Sequence, residues 1–140
     1  MITLPVMVSA LDVKDKLRVL VVDDNKVIRE LVTRQLAKLG AESETAIDGR
    51  DALEKLQQAK YDLVLMDVQM PEMDGITATQ EIRKAEEGSG KHTLIIALTG
   101  HGSRVECIEA GMDDYIAKPM NIATLKATLQ KWAPNFQFAS

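Results

Sequence analysis

Five polar residues stand where runs of aliphatic residues end. Asp23 and Asp24 follow LRVLVV, Asp67 closes YDLVLMD, Thr99 closes HTLIIALT, and Lys118 follows DYIA. Taken singly, each has an ordinary reading: an acid pair at a helix start favoured by the helix dipole, a turn former, a strand-end hydroxyl, a solvated charge. Their recurrence at four successive run ends is not ordinary. Three carboxylates gathered at one rim repel, and each gains proton affinity unless a cation balances them. An all-oxygen set without His or Cys favours a hard ion such as Mg²⁺, which keeps several waters and takes one or two carboxylates plus phosphate. Lys118 is a point charge able to pair with an anion, and Thr99 offers a hydroxyl donor. With metal and lysine neutralising charge on a transferring group, a carboxylate attacks phosphorus to give an aspartyl-phosphate. Asp67 is the expected nucleophile.

For these residues to meet, the fold must bring four strand ends to one edge. From Leu17 onward, short aliphatic runs alternate with longer stretches whose apolar residues recur three and four positions apart. Residues 17–23, 61–67 and 92–99 are nearly continuous apolar runs, as strands buried on both faces require. Residues 42–46 form a weaker strand whose alternating polar residues fit a sheet edge, and 114–117 form a short fifth strand. Ile28, Leu31, Val32, Leu36 and Leu39 mark one helical face, capped by Asn25 and stopped by Gly40. Ala52, Leu53 and Leu56 predict a second helix after Asp48-Gly49, and Ile76, Thr79 and Ile82 a third. Ser103-Arg104-Val105-Glu106 has the form of a capping box opening a short fourth helix that Gly111 closes. Ile122, Leu125, Leu129 and Trp132 share a face of the fifth, capped by Asn121. This alternation predicts an α/β fold: an open, mostly parallel sheet with helices on both faces and right-handed crossovers. Such sheets bind ligands beyond the carboxyl ends of their strands, where the strand order reverses.

Composition narrows the partners. At 140 residues and 46% hydrophobic the chain suits one domain, and its net charge of −4 with no basic window excludes nucleic acid and anionic membrane surfaces. Cys107 has no second Cys to pair with and falls in an apolar helical stripe, which fits core packing in a reducing, cytoplasmic setting. No apolar run approaches the roughly 20 residues of a membrane-spanning helix. Val8-Ser9-Ala10 has the small residues of an export cleavage site, but the segment lacks a basic start and Pro5 interrupts its apolar run. Residues 1–16 are therefore expected to be an arm or linker, 17–133 the domain and 134–140 a tail.

The runs VVDDN (21–25), LMDVQMPEMDG (65–75), ALTG (97–100) and DYIAKP (114–119), in this order and spacing, resemble the receiver domain of two-component response regulators, over about Leu17 to Trp132. The resemblance implies a five-stranded, flavodoxin-like, doubly wound sheet of order 2-1-3-4-5. It implies that Asp67 accepts a phosphoryl group from phosphohistidine on a histidine kinase or histidine phosphotransfer domain. Asp24 and Asp67 would then bind Mg²⁺ directly, Asp23 mainly through water, and the Gln69 backbone carbonyl would be a further ligand. Thr99 and Lys118 would hold phosphate oxygens, and Tyr115 matches an aromatic position that turns inward when the threonine moves. Lys118-Pro119 matches a cis bond. Gly100 stands where alanine is more usual, and Gln69 and His101 occupy positions that tune the phosphoryl lifetime. The phosphorylated domain would change its affinity for a downstream protein through the fourth helix, fifth strand and fifth helix, a face that also leaves a homodimer open.

Two parents fit: a single-domain regulator, or the C-terminal receiver of a hybrid sensor histidine kinase, which the wording MDVQMPEMDG and the residues before the first strand favour. As a domain it would catalyse only its own phosphorylation and dephosphorylation. Two other functions compete. A Mg²⁺-dependent phosphohydrolase with an aspartyl nucleophile would resemble D-x-D, whereas Asp67-Val68-Gln69 lacks the second acid. A flavin binder on the same architecture would need a Ser-, Thr- or Gly-rich phosphate loop after the first strand, where this chain has the acidic DDNK. GSGKH lacks the earlier glycine and final hydroxyl of a P-loop.

Overall fold

The computed structural model describes residues 16–70, 73–100 and 104–139. Five strands, β1 (Arg18–Val22), β2 (Glu42–Ala46), β3 (Leu63–Asp67), β4 (Ile95–Thr99) and β5 (Asp114–Ala117), form one parallel sheet in the order β2-β1-β3-β4-β5. The helices between and after them are α1 (Lys26–Lys38), α2 (Gly49–Gln58), α3 (Gly75–Glu86), α4 (Arg104–Ala110) and α5 (Ile122–Trp132). The register aligns Val22 of β1 with Met66 of β3, Asp67 with Leu98 of β4, and Thr99 with Ala117 of β5. These pairings bring the residues that end the strands to one edge.

Because successive strand side chains point to opposite faces, the apolar runs supply two core layers. Val19, Val21, Leu65, Leu98 and Ile116 meet Val32 and Leu36 of α1 and Leu125 and Leu129 of α5. Leu20, Val22, Val64, Met66, Ile95 and Ala97 meet Ala52 of α2, Ala78 and Ile82 of α3, and Cys107 of α4. Cys107 is thus a core residue, and burial pushes its thiol pKa up. The expected caps of α1 and α5 form, with Asn25 and Asn121 accepting from Ile28 N and Thr124 N, and Asp48 caps α2 by accepting from Asp51 N. Gly40 and Gly111 take positive φ after α1 and α4, a region costly for any residue with a Cβ. Ser103 of the expected capping box lies outside the described residues, as do residues 1–15 of the expected arm.

Four local expectations shift. The fourth strand starts at Ile95 rather than His92, because Thr93 N donates to Glu86 Oε2 at 2.7 Å and His92 Nε2 lies 2.7 Å from Asp113 Oδ1, so side chains take up these groups. The third strand starts at Leu63. Leu31, assigned to the buried face of α1, is 43% exposed. Neighbouring helix positions differ by about 100° of rotation, and α1 seats on the sheet through Val32 and Leu36, which turns Leu31 toward the rim. Beyond α5, residues expected as a tail lie against the core. Phe136 and Phe138 meet edge to face with centroids 5.0 Å apart, and Ala139 N donates to Leu39 O at 3.0 Å. Among the described residues no helix is long and apolar enough to cross a membrane.

Gly75 opens α3 directly beneath β3. A Cβ there would overlap the backbone carbonyl of Asp67 and press on Met66 Cγ at 3.0 Å. Gly75→Ala is expected to lower unfolding free energy by about 1–3 kcal/mol, the usual range for overpacking, measured by urea denaturation.

Candidate functional site: an acidic pocket at the strand tips

The sheet order reverses at β1. From β1 the chain passes outward to β2, then returns across β1 to β3 and proceeds the other way. The crevice at this switch point lies between the carboxyl ends of β1 and β3, where Asp23 and Asp67 sit. Asp23 is fully committed. Its N donates to Ala46 O at 3.1 Å, its Oδ1 accepts from Asn25 N at 2.9 Å, and its Oδ2 accepts from Lys118 Nζ at 3.2 Å, with the side chain 1% exposed. Asp67 Oδ1 accepts from Lys118 Nζ at 3.0 Å and, at a longer 3.4 Å, from Gln69 N. Asp24 is exposed at the mouth. Each of these three acids offers one oxygen within 4.8 Å of the others.

Thr99 ends β4, buried, and its carbonyl accepts from Lys118 N at 2.8 Å, which ties the β4 and β5 tips together. The Lys118-Pro119 bond is cis. Among the described residues, a Cβ at Gly100 would find only Lys118 Cβ, at 4.0 Å. Gln69 is exposed beside Asp67. Tyr115 is half-buried against the layer containing Cys107, with the Arg104 guanidinium 5.5 Å from its ring centroid. His101 lies outside the described residues.

The electrostatics of the pocket are unbalanced. Burial raises the Asp67 pKa above its ordinary value and the Asp23 charge adds to this, while the Lys118 bond and the Gln69 N–H act the other way without cancelling it. Burial alone would lower the Lys118 pKa, but its bonds and charge pairing with Asp67 and Asp23 outweigh that, and it is raised. Three carboxylates against one ammonium leave two negative charges in a set made only of oxygen ligands. That donor set and charge fit a hard divalent cation.

One contributor escaped the sequence reading. Arg29, in the first turn of α1, donates from its NH1 to Asp23 O at 2.8 Å. Its separation of six residues from Asp23 carries no regular periodicity, and only the local turn brings the two together.

The ionised Asp67 subtracts from stability, because its folded pKa lies above the unfolded value and the fold binds that proton more tightly. The deficit is present at neutral pH and vanishes as pH falls through the folded pKa. Asp67→Asn, in chelator, is therefore expected to be more stable than wild type near pH 7, with the difference shrinking toward about pH 4. The comparison must be made as a difference at each pH by urea unfolding. Glu86 and Asp114 have lowered pKa values, so both proteins lose their stabilisation on acidification.

A family model, the response regulator receiver domain, matches residues 19–130. The chain is 38% identical over 124 residues to the hybrid signal transduction histidine kinase G of Dictyostelium discoideum, covering 85% of this chain and 4% of that protein. The receiver domain of the sensor histidine kinase PA1611 from Pseudomonas aeruginosa, solved with a magnesium ion coordinated in its active site cleft, superposes with a TM-score of 0.75 at 39% identity, over 84% of this chain and 97% of that one. The Saccharomyces cerevisiae complex of the histidine phosphotransfer protein Ypd1 with the receiver domain of Ssk1 matches with a TM-score of 0.78 at 28% identity, over 86% and 90% of the respective chains.

Proposed function

The chain belongs to the response regulator receiver domain family, and from that premise we propose that Asp67 accepts a phosphoryl group from a phosphohistidine in a reaction that needs Mg²⁺. The observation that carries this reading is Lys118 Nζ at 3.0 Å from Asp67 Oδ1 and 3.2 Å from Asp23 Oδ2, beside a carboxylate trio whose oxygens lie within 4.8 Å. Asp24 and Asp67 would hold the cation directly, with the Gln69 carbonyl as a further ligand and Asp23 acting mainly through water. When bound, the ion supplies Lewis-acid neutralisation of the phosphoryl oxygens.

The residues of the chain do the rest. An Asp67 carboxylate oxygen attacks phosphorus, the P–O bond forms as the P–N bond to the donor imidazole breaks, and the electron pair returns to that nitrogen. Lys118 exchanges its bond to Asp67 for one to a phosphoryl oxygen, and Thr99 donates its hydroxyl to another. The added charge biases Thr99 and Tyr115 between two arrangements, and with them the face made by α4, β5 and α5. Arg104, stacked on Tyr115, belongs to that face.

A donor protein needs a surface beside the pocket. Leu31 lines a shallow apolar cavity of about 270 Å³ together with Lys118, Pro119 and Met120, and Val27 on the same helix is 72% exposed. A histidine phosphotransfer domain is the occupant proposed, by likeness to the Ypd1 complex. The chain spans 4% of the length of the Dictyostelium relative, and a hybrid sensor kinase is the parent we favour on that likeness. Sustained hydrolysis of phosphate monoesters would instead favour the phosphohydrolase, which Gln69 in place of a second acid argues against.

Acetyl phosphate with Mg²⁺ is expected to load about one phosphoryl group per chain, as hydroxylamine-labile label, with none in chelator or in Asp67→Asn. Lys118→Ala should slow loading by about 100-fold, the usual loss for one charge-stabilising donor. Label persisting in Asp67→Asn refutes the acceptor assignment. Leu31→Asp should leave acetyl phosphate loading intact while slowing transfer from a phosphorylated histidine phosphotransfer protein, read by autoradiography.

A further inference from the structure

We infer that Arg29 is a positioning residue of the cation pocket, fixing the peptide between Asp23 and Asp24 and so aiming the Asp24 carboxylate. The inference rests on the reading of the pocket as a Mg²⁺ site. Asp24 is the outermost of the three acids, and its side chain has no hydrogen-bond partner among the described residues. The backbone that carries it therefore sets where its Cβ leaves the chain, and with that which of its rotamers bring the carboxylate into the pocket. On the amino side that backbone is anchored by Asp23, whose N and both carboxylate oxygens are already bonded. The carbonyl oxygen of Asp23 belongs to the peptide plane shared with Asp24, and its bond from Arg29 NH1 at 2.8 Å holds that plane against rotation. On the carboxyl side Asn25 caps α1, with Oδ1 accepting from Ile28 N at 3.1 Å and its carbonyl accepting from Arg29 N at 3.0 Å. Arg29 thus closes a loop: the helix turn that Asn25 starts carries the guanidinium that reaches back over Asn25 and Asp24 to Asp23.

Charge alone would not place an arginine here. The first turn of a helix is the positive end of its dipole and disfavours a cation, and a guanidinium close to a divalent ion repels it. Arg29 is half-buried, so that repulsion is only partly screened by solvent. The two roles therefore predict opposite signs. If Arg29 acted only as a charge, removing it would tighten Mg²⁺ binding. If it holds the Asp23–Asp24 peptide, removing it weakens binding, as loss of outer partners of metal ligands does by 10- to 100-fold. Lysine keeps the charge but offers a single flexible donor in place of the planar fork, so it restores the function only in part.

The test is Mg²⁺ titration by calorimetry of the wild-type chain, Arg29→Ala and Arg29→Lys, alongside the backbone amide resonance of Asp24 in the metal-free proteins. The expected result is a dissociation constant about 10-fold higher in Arg29→Ala, an intermediate value in Arg29→Lys, and a shifted Asp24 amide before any metal is added. Mg²⁺ affinity in Arg29→Ala equal to or tighter than wild type overturns the inference. If Arg29→Ala does not fold, Arg29→Met decides by the same sign, since it drops the charge and every donor while keeping the aliphatic stem. Absence of Mg²⁺ binding in the wild-type chain would refute the cation pocket itself, an outcome separate from unchanged affinity in the variants.

Discussion

One ammonium group shared by two buried carboxylates organises this molecule. Lys118 arrives from the end of β5 and reaches Asp23 after β1 and Asp67 at the end of β3, spanning 95 and 51 residues of chain. The contact forms only if β1, β3, β4 and β5 are in register at their carboxyl ends, and the hydrogen bond from Lys118 N to Thr99 O locks β4 into the same arrangement. It is also incomplete as electrostatics: one positive charge cannot neutralise three acids. Burial raises the Asp67 pKa and the Asp23 charge adds to it, and a divalent cation is the kind of ligand whose charge relieves the excess.

The opposite edge of the sheet is built differently. Near the amino ends of the strands, Arg83 joins Gly111 O, Glu86 and Asp113 at 2.8, 2.8 and 3.0 Å, and Asp113 Oδ2 also accepts from Ile95 N. Asp114 takes bonds from Trp132 Nε1 at 2.7 Å and Lys131 Nζ at 3.3 Å. Burial would raise the pKa values of Glu86 and Asp114, yet the donors aimed at them lower both. Acids there are satisfied and tie α3, α5 and the loops to the sheet. The two edges thus divide the work between a closed set of partners that holds the fold and an open set held ready for ligands.

The core makes the open set tolerable. Strands buried on both faces give Asp23 and Asp67 a rigid, water-poor seat, which strengthens every charge interaction made there. Close packing carries this to the backbone: with Gly75 beneath Asp67, α3 can approach β3 where any side chain would intrude. The same rigidity explains why a bond to a main-chain carbonyl, such as that of Arg29 to Asp23, can govern where an exposed neighbour points.

Much of this was legible in the residues alone. Runs such as RVLVV and LVLMD read as strands because their aliphatic side chains must be buried on both faces, and Asn25 and Asn121 are located as caps by short-range hydrogen-bonding chemistry. The acids, Thr99 and Lys118 could be singled out because each ends a strand, and parallel strands end on one side. Tertiary structure decided the rest. Periodicity places a residue on a face but not at a depth, so Leu31 could be assigned to the apolar side of α1 and still stand at the rim. Nothing local says that Lys118 divides itself between two acids, that Arg104 covers Tyr115, or that Phe136 and Phe138 close over the core. Those contacts join segments far apart in the chain, and their geometry exists only once the sheet has set the distances between them.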